Sequence, residues 1–416
     1  MKKTICLVPL LLAAWSGAAQ TNSPGLTIEQ VVAEVLKNNR ALKSARASWE
    51  AMKERVPQER AWADPRAGVD VERMGTTRFD TFTDNEWMVS QEIPISGKNR
   101  LRGKVAEAEA NAFHGTVRGR ELDLASRARM AFFRYANTFG LIDLNRRNED
   151  LLKQFAGLSL EKYRLGLRSQ ADALMAETEL AKNGEALRDL ELQLSESQSR
   201  LNVLMNRPPN AELPKPILQT PHYPEQDLQQ LVSMALRHRP ELQNAQFKIK
   251  AAETRRDLAK RQWIPDPEIR VEARQYNGAG RPISEYDTGI FFNIPWVNYR
   301  KYKAAEREAQ KNRESADEEL AALELETFGM IRDQLKRIEN THHHLTLFQE
   351  KIVPLARQTV EASLAAYTSD KATLLDLITA QRGVREAETM LQQHSTDYMS
   401  AVAEMETLVG PGAGAK

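Results

Sequence analysis

Cysteine is almost missing from this chain of 416 residues: the single one, Cys6, lies within the first twenty. Those residues have the layout of an export signal, with a positive start, an apolar stretch over 5–15 and small residues after it. We expect cleavage near Ala18 or Ala19, so 1–19 is predicted to be a signal peptide. The mature protein then holds no thiol, which excludes disulfides, thiolate metal sites and a cysteine nucleophile.

An excess of one charge and long apolar runs are also missing. The chain carries 58 basic and 57 acidic residues, so no global field attracts nucleic acid, and no nucleic-acid partner is expected. After the signal, no window approaches eighteen uninterrupted apolar residues, which excludes a helical membrane span there. Glycine is scarce, with 20 residues, and the abundance of Ala, Glu, Leu, Arg and Gln favours long helices with a polar surface.

The chain repeats itself at a shift of about 200 residues, which is the sequence signature of a duplicated unit. Three landmarks recur in the same order. They are Trp62 and Asp64-Pro65 with Trp263 and Asp266-Pro267, Ile93-Pro94 with Ile294-Pro295, and Tyr163 and Asp172 with Tyr367 and Asp376. We therefore predict a first repeat over 20–206, a proline-rich connector over 207–225, a second repeat over 226–409 and a flexible tail over 410–416.

Both repeats predict the same elements. Each begins with one helix of about 35 residues, at 27–62 and 227–262, which ends where an Asp-Pro pair disfavours helical geometry. Thr27 is the predicted N-cap of the first helix, and Gln30 completes a capping box. Two runs with alternating apolar and polar residues follow, and their period of two predicts strands long enough to cross a membrane when tilted.

A very long helical hairpin completes each repeat. In the first repeat the arms are predicted at 98–162 and 169–206, and in the second at 299–366, with a kink at Pro354, and 373–409. Roughly 65 residues at about 1.5 Å each make a rod on the order of 100 Å, far longer than a globular domain uses.

Four strands cannot span a membrane alone, because the edge strands would leave N–H and C=O groups in hydrocarbon at several kcal/mol each. Copies of the same chain can close those edges. Strand count alone permits two, three or four copies.

The export signal, duplicated halves, strand pairs, long hairpins and proline-rich connector together resemble the TolC-like outer-membrane efflux factors, over essentially the whole mature chain. The resemblance implies a mainly α fold with membrane β, in which a homotrimer closes a 12-stranded β-barrel, four strands per chain, above a helical barrel. It implies a passive outer-membrane conduit without a cofactor. Its partners would be outer-membrane lipid, a periplasmic adaptor (a membrane fusion protein) and an inner-membrane pump of the resistance-nodulation-division type.

The segment 91–98, followed by Arg100 and Arg102, resembles the heavy-metal branch of that family (cobalt–zinc–cadmium or copper), so heavy-metal cations are the expected cargo. Two departures are that the mature chain lacks a lipidated cysteine and that Asp370 replaces a glycine in the second hairpin turn. A multidrug or type I secretion duct is the nearest alternative. A soluble periplasmic coiled-coil scaffold is the alternative from a different class.

The resemblance places the adaptor-docking sites at the two hairpin turns. The predicted docking residues are Leu165, Gly166, Leu167, Ser369 and Asp370. Gly166 can adopt the left-handed conformation that a sharp helix reversal requires, and the two leucines would be exposed apolar contacts. The alternative is a plain hairpin turn with its leucines packed inward.

Asp172 and Asp376 are the predicted periplasmic gate. If both face the lumen, a trimer gathers six carboxylates, which favours cations and raises the carboxylate pKa values by mutual repulsion. The alternative is an ordinary first-turn acid that the helix dipole stabilises.

Three consecutive histidines, 342–344, are the remaining metal candidates. Consecutive helical residues point about 100° apart, so the three cannot chelate one ion together. Glu339 and His343 have the i, i+4 spacing of a helical metal pair, but a solvated helix face explains these residues better, and no metal site is predicted. No arrangement of residues suggests catalysis, and enzyme activity is not expected.

Overall fold

The computed structural model of the protein describes residues 25–72, 83–218 and 227–410. The predicted signal peptide, most of the loop after the first strand, the end of the connector and the tail beyond Gly410 lie outside the described residues.

The described residues form helices and strands in the same order in both halves. The first half contains α1 (Ile28–Asn38), α2 (Arg40–Arg60), β1 (Arg66–Glu72), β2 (Asp84–Glu92), α3 (Lys98–Arg164) and α4 (Gln170–Leu204). The second half contains α5 (Leu228–His238), α6 (Pro240–Arg261), β3 (Pro267–Tyr276), β4 (Glu285–Phe292), α7 (Tyr299–Leu347), α8 (Val353–Thr368) and α9 (Leu374–Val409).

The prediction of one opening helix per repeat is wrong, because each is broken in two. Asn39 ends α1 and caps α2, since its side-chain oxygen accepts hydrogen bonds from the backbone N–H groups of Ala41 and Leu42 at 3.0 and 3.2 Å. In the second half Pro240 forces Arg239 out of helical geometry, to a ψ of 121°. The capping box of Thr27 and Gln30 is confirmed.

The long hairpins are confirmed. Helix α3 runs unbroken for 67 residues, about 100 Å, and α4 returns along it. The irregularity predicted at Pro354 takes the form of a π-helical turn over Phe348–Ile352, where the helix widens before a residue that cannot donate a backbone hydrogen bond.

The four strands form one antiparallel sheet in the order β1-β2-β3-β4, so the two repeats join through β2 and β3. Val89 lies opposite Val271 across this central pair, and Ile269 lies opposite Ile290 in the next. Along each strand, residues one apart therefore lie on opposite faces of the sheet, and residues two apart lie on the same face.

The two faces of the sheet differ in chemistry. One face carries no charged residue within these strands, and its apolar members include Val69, Val71, Trp87, Val89, Ile269, Val271, Ile290 and Phe292. The opposite face carries three arginines (66, 270 and 274) and nine acids: Asp70, Glu72, Asp84, Glu86, Glu92, Glu268, Glu272, Glu285 and Asp287. The sheet is therefore amphipathic, and its polar face is acidic.

The helices next to the sheet follow the order of its strands. Helix α2 packs on α3, α3 on α6 and α6 on α7, so α2 and α7 end the row as β1 and β4 end the sheet. Small residues of α3, including Ala106, Ala108, Ala110 and Gly115, are buried and permit close helix approach. Next to the sheet, the repeats are thus joined by their helices as well as by their strands.

Further from the sheet, buried clusters tie α3, α4 and α9 together. Phe132, Tyr135, Leu201 and Met205 form one of these clusters with Leu26. The described part of the connector packs against this region, where Tyr135 donates a hydrogen bond to the Leu213 carbonyl at 3.2 Å. Leu26 also pairs with Lys215 and Ile217 through backbone hydrogen bonds of 2.9 Å.

One ion pair fixes the junction of sheet and helices. The Asp266 carboxylate, just before β3, accepts hydrogen bonds from Ser96 N and Oγ at 2.8 Å, and from Lys98 Nζ at 3.0 Å. Both charged side chains are largely buried, 14% exposed for Lys98 and 5% for Asp266. Burial opposes ionisation of Asp266, but these hydrogen bonds outweigh it and lower its pKa.

We predict that Asp266→Ala destabilises the protein by about 2–3 kcal/mol, because it leaves Lys98 buried without its carboxylate. The same change at Asp64, the exposed equivalent in the first repeat, should cost at most about 0.5 kcal/mol. Thermal unfolding in detergent measures both. Since folding lowers the pKa of Asp266, its contribution to the free energy of unfolding is fully present above the pKa of the unfolded protein. The contribution is lost as the pH falls through the lower pKa of the folded protein. An equal loss of stability in the Asp266 and Asp64 variants would contradict the stabilising role of the Asp266–Lys98 ion pair.

Candidate functional site

The first predicted docking turn joins α3 to α4. Gly166 has a φ of +70°, the left-handed conformation expected of it. Its N–H donates to the Tyr163 carbonyl, and Leu167 N–H donates to the Lys162 carbonyl, both at 2.9 Å. Leu165 and Leu167 are 72% and 58% exposed in the protomer. The turn therefore presents two apolar side chains at its tip.

The second turn joins α8 to α9 and reaches the same geometry without glycine. Asp370 takes the left-handed position with a φ of +56°, which aspartate tolerates better than most residues. Lys371 N–H donates to the Ala366 carbonyl at 2.8 Å, and the Ser369 hydroxyl donates to the Ala365 carbonyl at 2.9 Å. The missing glycine thus changes the chemistry of this turn and preserves the reversal.

A cluster of contacts, which we call the tip clamp, joins the two turns. Lys162 Nζ from α3 donates to the carbonyls of Tyr367 and Thr368, at 2.8 and 3.2 Å, and to Asp370 Oδ1 at 2.6 Å. Arg168 donates to the Ala372 carbonyl at 2.8 Å and lies 3.5 Å from Asp370. Basic groups of the first turn therefore hold the backbone of the second.

The tip clamp is partly buried and strongly polarised. The Tyr367 ring is fully buried, with Lys162 Nζ 5.0 Å from its centroid. The hydrogen bond from Lys162, joined by the charge of Arg168, lowers the pKa of Asp370. Burial, followed by the negative charge of Asp172, raises the pKa of Tyr367. Asp172 thus acts electrostatically on a residue of the other hairpin.

The two predicted gate residues occupy equivalent places. Asp172 and Asp376 are both the third residue of their helices, each beside a capping hydroxyl, Ser169 and Thr373. Asp376 Oδ2 accepts from Thr373 N at 2.9 Å and from its hydroxyl at 2.7 Å, and these bonds lower the pKa of Asp376. The protomer therefore favours the charged form of Asp376, and a raised pKa of this residue would require repulsion from other subunits.

No group of three or more His, Cys, Asp or Glu side chains in the described residues could hold a metal ion, so the candidate pair Glu339 and His343 has no third ligand of these types there. His343 is exposed, and Glu339 is bound to Lys336 at 2.7 Å. Instead His344 stacks on His394 of α9, with ring centroids 5.1 Å apart. Burial, then the neighbouring His344, lowers the pKa of His394.

Sequence reasoning missed the residues that join the repeats. Lys162 and Arg168 carry the tip clamp, but each contacts residues more than 200 positions away, and no local pattern distinguishes them from other helical bases. The one sequence feature that could have indicated the tip clamp is Asp370, which stands where a glycine was expected. Its carboxylate at the turn can pair with a basic side chain.

We predict that Lys162→Met loosens the second turn, because three acceptors lose their shared donor. Amide hydrogen exchange over 366–373 should speed up roughly tenfold or more, as expected for a loss of about 1–3 kcal/mol. Lys153→Met is the matched control, since Lys153 lies on the same helix and, among the described residues, forms its ion pair with Glu149 one turn away. Unchanged exchange in the Lys162 variant would show that the clamp does not hold the turn.

Comparison with known proteins identifies the family that has this architecture. The family model described as outer membrane efflux protein matches residues 31–207 and 231–411. No curated protein matches the chain. No helix among the described residues has both the length and the apolarity needed to cross a membrane.

Solved structures share the fold at low sequence identity. The outer-membrane channel OprN superposes with a TM-score of 0.78 at 16% identity, over 93% of this chain and 91% of its own. The outer membrane protein VceC from Vibrio cholerae gives 0.77 at 16% identity, over 92% and 96%. CusC, described for transmembrane channel formation, gives 0.80 at 14% identity, over 92% of each chain. The chain belongs to the outer membrane efflux protein family, with its sheet in the outer membrane and its long helices in the periplasm.

Proposed function

We propose that three copies of this chain form a passive duct across the outer membrane, which carries cations delivered by an inner-membrane pump through a periplasmic adaptor. The observation that carries the proposal is the amphipathic sheet. Its uncharged face suits lipid, its acidic face suits a water-filled lumen, and its edge strands β1 and β4 have no further strand beside them among the described residues of the protomer. Twelve strands from three copies supply those partners.

The acidic face supports cations as the cargo. Nine carboxylates against three arginines in the strands of one protomer give a lining that concentrates cations and repels anions. Asp172 and Asp376 add acids at the opposite end of the helices. Heavy-metal ions are the specific cargo we propose, because the strand-to-helix junction over 91–98 resembles that of the heavy-metal branch of the family. A multidrug duct would tolerate the same lining for cationic compounds.

The two turns are the proposed docking surface for the adaptor. Leu165 and Leu167 are exposed beside the clamped second turn, so an adaptor can contact both hairpins at once. Because the tip clamp fixes one turn to the other, docking on either turn would move both. Opening would then be a displacement of whole hairpin pairs, with Asp172 and Asp376 carried along.

Assembly is the first test. The protein should leave the outer-membrane fraction only with detergent, and the extracted species should have the mass of a trimer that heat dissociates to one band. A monomer recovered from the periplasmic fraction without detergent would overturn the duct and favour the coiled-coil scaffold.

Ion selectivity tests the cargo class. In planar bilayers under a salt gradient, the wild-type reversal potential should indicate preference for cations. Asp172→Asn combined with Asp376→Asn should shift it toward zero, because the gate loses charge. Asp189→Asn, an exposed acid on the same helix as Asp172, should leave it unchanged. Anion preference in the wild-type channel would refute the cation proposal, and metal-sensitivity of a deletion strain separates metal from drug export.

A further inference from the structure

The contact between the two repeats of one protomer can recur between subunits, because the repeats have the same elements. Strands β1 and β2 belong to one repeat and β3 and β4 to the other, so the β2–β3 pairing joins two repeats. If repeats alternate around a closed sheet, β4 of one subunit meets β1 of the next as β2 meets β3. The contact inside one chain is then a template for the contact between chains.

The repeat gives the numerical shift for each strand. Asp64-Pro65 and Asp266-Pro267 relate β1 to β3 by 202 positions, while Ile93-Pro94 and Ile294-Pro295 relate β2 to β4 by 201. The observed registers obey both shifts. The pair Ala67↔Val89 of the first hairpin maps onto Ile269↔Ile290, which is the register of the second.

We propose that a second copy of this chain docks on the β4 edge with Ile290 opposite Val69 of the partner subunit. This register follows from the pair Val89↔Val271 between β2 and β3. Adding 201 to Val89 gives Ile290, and subtracting 202 from Val271 gives Val69. By the same rule, Gln91↔Ile269 places Phe292 opposite Ala67 of the partner subunit. The inference rests on the proposed trimeric duct and supplies the residues of its closure.

The chemistry of the faces supports this register. It places uncharged Ile290 and Phe292 beside uncharged residues of β1, and it places Asp287 and Gly289 beside acids of the polar face. A slip by one residue would set charged side chains in lipid, so the uncharged face excludes it. Only slips by an even number of residues remain to be tested.

The helices give independent support for the same neighbour. Helix α3 packs on α6 below the β2–β3 pair, and the matching free ends of the row are α7 and α2. Closing β4 on β1 of the next copy therefore brings α7 onto α2 of that copy. One operation closes the sheet and the helical row together.

The seam between subunits would differ electrostatically from its template. Glu86 lies opposite Arg274 in the central pair, and their side chains form an ion pair of 3.2 Å. The shifted positions are Asp287 and Glu72 of the partner subunit, two acids. Where the protomer has an attractive pair, the seam has a repulsive one, so closure depends on the backbone ladder and the lipid-facing residues.

Disulfide trapping tests the register, because the mature chain is predicted to have no cysteine of its own. Val69→Cys with Ile290→Cys, and Ala67→Cys with Phe292→Cys, are the matched pairs. Directly opposed Cβ atoms lie about 4.5–5.5 Å apart, near disulfide distance, whereas same-face neighbours offset by two residues lie at roughly 7–8 Å. Val71→Cys with Ile290→Cys, and Ala67→Cys with Ile290→Cys, are therefore the offset controls. Within one sheet β1 and β4 are three strand spacings apart, roughly 14 Å, so no intramolecular disulfide can form.

Oxidation of either matched pair should shift the denatured band from monomer to covalent trimer, reversibly with reductant, while offset pairs and single cysteines stay mainly monomeric. Faster trapping of an offset pair would overturn the register and leave the duct standing. No trapping in any pair, in a protein that still runs as a trimer before denaturation, would overturn β4–β1 closure. Absence of a trimer in the wild type would refute the proposed function itself. Heat-dissociation of each reduced variant shows that the substitutions preserve assembly.

Discussion

The structure depends on the backbone N–H and C=O groups at the two edges of its small sheet, which need hydrogen-bond partners. Strands β1 and β4 each end the sheet with a row of N–H and C=O groups, and in hydrocarbon an unpaired row costs several kcal/mol per group. An uncharged face of valine, isoleucine, tryptophan and phenylalanine makes the sheet suited to lipid, and that same environment makes its edges intolerable without partners. The order of the helices repeats the order of the strands, so the need for a neighbour extends from the membrane into the periplasm.

Below the sheet, buried polar contacts at the two ends of the rod join one repeat to the other. Near the membrane Asp266 binds Ser96 and Lys98, and at the far end Lys162 holds the turn around Asp370. Both contacts join one repeat to the other, and both involve a largely buried lysine. Between them the helices pack mainly through small and apolar residues, with a buried amide network of Asn148, Asn183 and Gln381. The protomer is therefore fastened as a unit at top and bottom.

The sequence predicts the periodic parts of this structure well and its long-range contacts poorly. Alternation over β1 to β4 and the recurring Asp-Pro and Ile-Pro landmarks predict the strands, and uninterrupted helical composition predicts the hairpins. The break at Asn39 escapes notice because asparagine is tolerated inside helices, and only its capping of Ala41 and Leu42 reveals the new start. At the tip, the turns were predictable from Gly166 and the repeat. Lys162 was not, since its partners lie about 205 positions away.

Duplication also allowed the two junctions of the repeat to diverge. Ser96 and Lys98 correspond to Val297 and Tyr299, and Asp266 corresponds to Asp64, so the acid occurs in both repeats, whereas the groups that bind it occur only in the first. A ring built from six unfused single repeats would have six identical junctions, all fastened or all unfastened. With two repeats in one chain, a substitution at one junction leaves the other unchanged, so the two kinds of junction can alternate. An assembly of identical single repeats could not contain that distinction.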